Sequence, residues 1–124
     1  MKKDIENEKD IELLINSFYK KVRKSRILGF IFDEVARVHW ESHLPQMYSF
    51  WGSLLLGMHS YTGNPVQKHI ELSKRVRMKE IEFSEWLHLF TETVDECYEG
   101  EKAEEAKIKA ANIARLMLHK IESV

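Results

Sequence analysis

Cysteine is nearly absent: Cys97 is the only one in 124 residues, which excludes an intramolecular disulfide and any cysteine-rich zinc or iron–sulfur site. There is no excess charge of either sign. With 19 basic and 20 acidic residues the net charge is -1, so neither nucleic acid nor an anionic membrane surface is an expected partner. No apolar run is long enough to span a bilayer, and the start, Met1-Lys2-Lys3-Asp4-Ile5-Glu6, lacks the apolar stretch of a secretory signal. A cytoplasmic location is expected. Proline (2) and glycine (5) are scarce, so few positions interrupt a regular element.

What is present is helical periodicity. Hydrophobic residues make up 44% and charged residues 31%, as in an ordinary globular chain. The length suits one domain over 1–124, with residues 1–8 expected as a flexible N-terminal extension. Ile11, Leu14, Ile15, Phe18, Tyr19 and Val22 form an i, i+3, i+4, i+7 stripe, with Asn7 or Asp10 as its N-cap. Ile27-Leu28-Gly29-Phe30-Ile31-Phe32 turns at Gly29 and continues as a second helical piece through Val35. A third stripe runs Trp40, Leu44, Met47, Trp51, Leu54, Leu55, Met58, with Pro45 expected in the first turn. Tyr61-Thr62-Gly63-Asn64-Pro65 is a cluster of turn formers. Phe83, Trp86, Leu87, Phe90, Val94 and Cys97 mark a fourth helix, stopped by Gly100. A fifth follows from Glu101, with Ala106, Ala110, Ile113, Met117 and Ile121 on one face. No segment alternates with period two over strand length, so the expected class is all-α.

Two features exceed what such a core needs. Pro65 opens a turn on which Val66, His69 and Leu72 share a face, aiming an imidazole into apolar surroundings as an iron ligand would be aimed. The core faces also carry many large rings, Tyr19, Trp51 and Trp86 beside Phe18, Phe32, Phe50, Phe83 and Phe90. They are either simply core or the walls of a site for something flat and apolar. A haem is such a group, because burial of its faces is favourable and its iron takes a neutral imidazole from one side.

Phe18-Tyr19-Lys20-Lys21-Val22-Arg23, Leu28-Gly29-Phe30-Ile31-Phe32, the segment from Trp40 to Trp51, Tyr61-Thr62-Gly63-Asn64-Pro65, His69-Ile70-Glu71-Leu72 and Phe83-Ser84-Glu85-Trp86-Leu87-His88-Leu89-Phe90 resemble, in this order, a group III truncated haemoglobin. The resemblance covers about Ile11 to Met117. It implies a truncated globin fold, two helices over two around haem b, with the proximal helix reduced to a turn in a long loop. It implies His69 as the proximal iron ligand, with Tyr19, His43, Met47 and Trp86 around the distal face. Phe32 and Trp51 join them as cofactor contacts. Like group III proteins, the chain has no Gly-Gly pair. It departs from them after Leu72, where Ser73-Lys74-Arg75-Val76-Arg77 is basic instead of apolar and proline-bearing. Arg75, with Arg77 and Lys68, is close enough in sequence to the proximal turn to pair with haem propionates, or forms a solvated basic loop.

Tyr19 O–H and Trp86 N–H can donate hydrogen bonds to oxygen, nitric oxide or carbon monoxide, and His43 can donate, gate the pocket or ligate iron. His39, His59, His88 and His119 have no site spacing and are expected at the surface or in packing. The acidic run from Glu99 to Glu105 suits a solvated helix start. The resulting expectation is a haem protein acting in redox, nitric oxide or oxygen chemistry rather than bulk transport. Nitric oxide dioxygenation and peroxide chemistry are its enzymatic alternatives. With no flavin or nicotinamide motif, turnover needs an unidentified reductase as external donor. The competing expectation is a haem-free helical interaction or regulatory module.

Overall fold

The computed structural model describes residues 2–30, 40–57 and 80–122. Five helical segments occupy them: α1 (Glu8–Lys24), the single turn α2 (Leu28–Phe30), α3 (Trp40–Leu56), α4 (Glu80–Cys97) and α5 (Glu101–Glu122). No strand occurs among the described residues.

Helix α1 starts where the side chains satisfy its free N–H groups. The Asn7 side chain accepts from the Asp10 backbone N–H at 3.1 Å, while the Asp10 carboxylate accepts from the Asn7 N–H at 3.3 Å. The two residues that the sequence offers as alternative caps are thus the two halves of one capping box. Every residue of the expected stripe, Ile11, Leu14, Ile15, Phe18, Tyr19 and Val22, is buried. At the other end Ser25 bonds back to Lys21 and Val22, and its hydroxyl reaches Glu85 on α4 at 2.9 Å. The turn into α2 passes so close to α1 that a Cβ on Gly29 would stand 2.6 Å from the Arg23 carbonyl oxygen, which accounts for glycine there.

Helix α1 packs on α3 and on α4, α5 packs most extensively on α4, and α5 also touches α3. Two helix pairs, α1 with α3 and α4 with α5, therefore lie against each other, as the two-over-two expectation requires. Small residues set the α5 contact: Ala103, Ala106, Ala110 and Ala114 are buried along one face with Met117. Lys21 of α1 pairs with Glu92 at 2.5 Å and Glu96 at 2.7 Å on α4, and Lys109 of α5 donates to the Leu54 carbonyl at the end of α3.

Pro45 lies inside α3 rather than in its first turn, because the helix already begins at Trp40. Pro45 is exposed, on the side where water can serve a carbonyl left without its N–H partner. The segment before α1 also differs from a free extension. Ile5 is 2% exposed and belongs to the core, Lys3 accepts from the Glu99 N–H at 3.0 Å, and Asp4 accepts from the N–H groups of Lys102 and Ala103, both at 2.9 Å. Lys102 and Ala103 are in the first turn of α5, whose own cap position holds Gly100, with no side chain to offer. Gly100 sits at φ 145, and a Cβ on it would meet Asp4 Cγ at 2.5 Å. One apolar side chain and one carboxylate dock the strap, although its sequence is nearly all charge.

Candidate functional site

The inward faces of α1, α3 and α4 bring their rings together. Phe18 stands 5.1 Å from Phe90 and 5.7 Å from Trp86, edge to face in both cases, and 4.8 Å from Tyr19. Phe90 lies between the two indoles, stacked on Trp51 at 4.6 Å and on Trp86 at 5.8 Å, with interplanar angles of 20° and 11°. Offset and edge-on contacts of this kind add about 0.5–1.5 kcal/mol per pair beyond burial, so the rings hold one another in place. Phe90 is fully buried, Trp51 and Met47 are buried, and Trp86 is half-buried.

Tyr19 is the polar member of this wall, and it is only 6% exposed. Burial disfavours the phenolate and pushes its phenol well above the usual value, so the O–H stays protonated throughout the neutral range and can only act as a donor or neutral acceptor. Trp86 contributes an indole N–H, which cannot accept and has no acid–base role. The chemistry of this set is that of neutral donors at the edge of an apolar, polarizable lining, suited to stabilising a small ligand that gains negative charge.

Of the site residues expected from sequence, Tyr19, Met47, Trp51 and Trp86 lie on the three packed helices, and Phe18 and Phe90 link the tyrosine to both tryptophans. His43 falls within α3, but its side chain lies outside what the structure describes, as do Phe32, His69, Arg75, Arg77 and Lys68 altogether. The outlying His88 and His119 are exposed, as expected, whereas His39 and His59 lie outside the described residues. The sequence offers Phe90 as one of several rings that are either core or site wall, without singling it out as a site residue. Its position one helical turn from Trp86, with a partner indole on α3, was the available sign of a larger role. A surface cleft of about 960 Å³ at the far end of α4 is lined by charged residues including Lys2, Asp95, Glu104 and Lys107, and does not suit a flat apolar group.

This helix arrangement and ring-lined interior are those of a globin. The chain belongs to the bacterial-like globin family, whose model matches residues 3–120. It is 36% identical over 105 residues to the group 3 truncated hemoglobin ctb of Campylobacter jejuni subsp. jejuni serotype O:2, an alignment covering 82% of this chain and 80% of that protein. Its structure superimposes on the crystal structure of the group III truncated hemoglobin from Campylobacter jejuni with a TM-score of 0.85 and 31% identity, covering 98% of this chain and 95% of that one. The resemblance to group III truncated haemoglobins and the all-α truncated globin fold are both borne out. Family membership implies haem-based binding of diatomic gases, and the reading as a haem-free module is set aside. The residues present fit such a group on this side: an aromatic wall with a methionine suits an apolar macrocycle, and a buried, protonated phenol suits its gas ligand. No described helix is long and apolar enough to cross a membrane.

Proposed function

We propose that the chain binds haem b between the Tyr19–Trp86–Trp51 wall and the loop after Gly57, and holds a diatomic ligand for redox, nitric oxide or oxygen chemistry rather than for transport. The observation that carries this reading is the burial of a neutral phenol among stacked rings. When bound, the haem supplies an iron that takes up a gas molecule and exchanges electrons with a donor. His69 is the protein ligand to that iron. Tyr19 and Trp86 donate to the ligand, and Met47, Trp51 and Phe32 exclude water from it. His43 serves as the gate, and Arg75 faces the propionates. Donors fixed in a dry pocket strengthen the held state, and a protein that releases its ligand slowly is better suited to reaction than to delivery. Electrons come from an external reductase, since no flavin or nicotinamide motif is present.

The purified protein should be coloured, with a Soret band that shifts when carbon monoxide is added to the reduced form. His69→Ala should lose most of its haem unless imidazole is supplied. Full haem content and an unchanged ferrous spectrum in that variant would refute the ligand assignment. The reactive role is tested by single-turnover consumption of nitric oxide on the oxygenated protein, and weak oxygen affinity without consumption would sink it.

A further inference from the structure

The cations of this chain are distributed unevenly. Lys3, Lys21, Lys102, Lys107 and Lys109 each pair with carboxylates. Lys9, Lys20 and Lys24, all exposed, form no ion pair with a described carboxylate. Their spacing places them on one outward seam of α1, with Leu13, 54% exposed, between the first two. The seam extends over about 22 Å at 1.5 Å per residue. Helix electrostatics do not account for it. A positive charge near the last turn, as at Lys24, complements the negative end of the helix dipole, but Lys9 stands in the first turn, where the dipole disfavours a cation. Lys20 and Lys24, four residues apart, also repel each other. Exposed carboxylates where α4 meets α5 are by contrast largely paired: Asp95 and Glu104 with Lys107, and Glu96 with Lys21 of α1 itself. The three seam lysines have no such partner among the described carboxylates, although the net charge of the chain is -1.

We propose that the outward face of α1 is the docking surface for an acidic electron-donor protein, an inference that rests on the haem reading above. Three cations without a partner among the described carboxylates, around one exposed leucine, make a small interface, of the size and character of transient electron-transfer encounters. Exposed lysines on that seam attract such a partner to α1, which raises productive encounters without tight binding. The inward face of the same helix carries Phe18 and Tyr19, so a docked partner stands about one helix diameter, 10–12 Å, from the aromatic wall. Nucleic acid and anionic membrane are disfavoured as occupants. The overall charge is negative, and one leucine gives little apolar area for insertion.

The test uses haem-loaded protein and an acidic flavodoxin as the donor. Reduction of the ferric form by the flavodoxin hydroquinone should slow about tenfold or more as salt rises from low to physiological strength. The K9E/K20E/K24E variant should reduce slowly at every salt concentration, the charge-neutral K9Q/K20Q/K24Q variant should fall between, and reduction by dithionite should be equal in all three. Amide shift changes on adding oxidised flavodoxin should lie along α1 and vanish in the charge-reversed variant. That measurement reads the surface with or without haem, whereas failure to take up haem would refute only the reading of the site. Unchanged salt dependence in the variants, or shift changes elsewhere, would overturn the proposal. So would binding to phosphatidylserine vesicles that is lost in the variants while flavodoxin has no effect.

Discussion

Tyr19 shows how depth changes what one side chain can do. On a surface helix a tyrosine in this position would present its hydroxyl to water, and its hydrogen bond would exchange one partner for another at little net gain. Here it is buried beside Phe18, with its phenol held neutral by desolvation, so a ligand it meets receives a hydrogen bond without competition from solvent. Trp86 is the second candidate donor, with its ring packed against Phe90 and Phe18. Each bond is expected to contribute about 1–3 kcal/mol, so Tyr19→Phe and Trp86→Phe should speed oxygen release by about five- to 150-fold while leaving haem content nearly unchanged. Stopped-flow measurement of oxygen release checks this, and unchanged rates in both variants would remove these residues from the ligand's surroundings.

At the scale of elements, the joint between the N-terminal strap and α5 carries the most specific chemistry outside the site. Asp4 acts as the cap of a helix that begins almost a hundred residues later, bonded to two of its free N–H groups and to the Ile5 N–H at 2.8 Å. Burial alone would raise the Asp4 carboxyl, but the N–H groups of Lys102, Ile5 and Ala103, with the Lys102 charge, outweigh it and hold the group below the ordinary carboxylate range. Asp10 is lowered in the same way: burial opposes, while Lys3 and the N–H groups of Glu6 and Asn7 prevail. Carboxyls depressed in the folded state stabilise it above their unfolded pKa, about 3.9, and that contribution is lost as pH falls through the folded value. Asp4→Ala should cost about 0.5–2 kcal/mol at pH 7, as loss of a helix cap does. The deficit should shrink as pH falls below about 4, where wild type loses the same interaction. Urea unfolding between pH 7 and pH 3 measures both, and a deficit independent of pH would show that the carboxylate charge is not what matters.

For the molecule as a whole, the cofactor is expected to contribute to stability. A ligand that binds only the folded chain stabilises it by mass action, about 2.7 kcal/mol at a free concentration one hundred times its Kd. For a chain of this size that corresponds to a rise in Tm of roughly 10 °C. Thermal unfolding followed by circular dichroism should therefore show haem-free protein melting well below the haem-loaded form. Equal melting temperatures would mean that haem does not bind the folded chain in preference to the unfolded one. The lysine seam of α1 belongs to this scale too, since steering depends on the summed field rather than on any one pair.

Much of this was legible in the amino-acid sequence, and the physical reason is locality. Helix periodicity is imposed by 3.6 residues per turn, so the Ile11–Val22 stripe and the break at Gly100 announce α1 and the α4–α5 joint without tertiary knowledge. The ordered blocks from Phe18 to Phe90, with a histidine at position 69 among them, carried the resemblance to the family that the chain belongs to. Contacts between distant segments leave no spacing to read. That Asp4 caps α5 follows from Gly100 having no side chain and from the strap lying across the joint, neither of which is visible in a charged N-terminus. Pro45 was expected in a first turn because a proline inside a helix sacrifices a hydrogen bond, yet α3 extends N-terminal to it from an exposed position that water can serve. The depth of Tyr19 and the Trp51–Phe90–Trp86 stack were likewise decided only when three helices packed, because burial is a property of what surrounds a side chain and not of the chain that carries it.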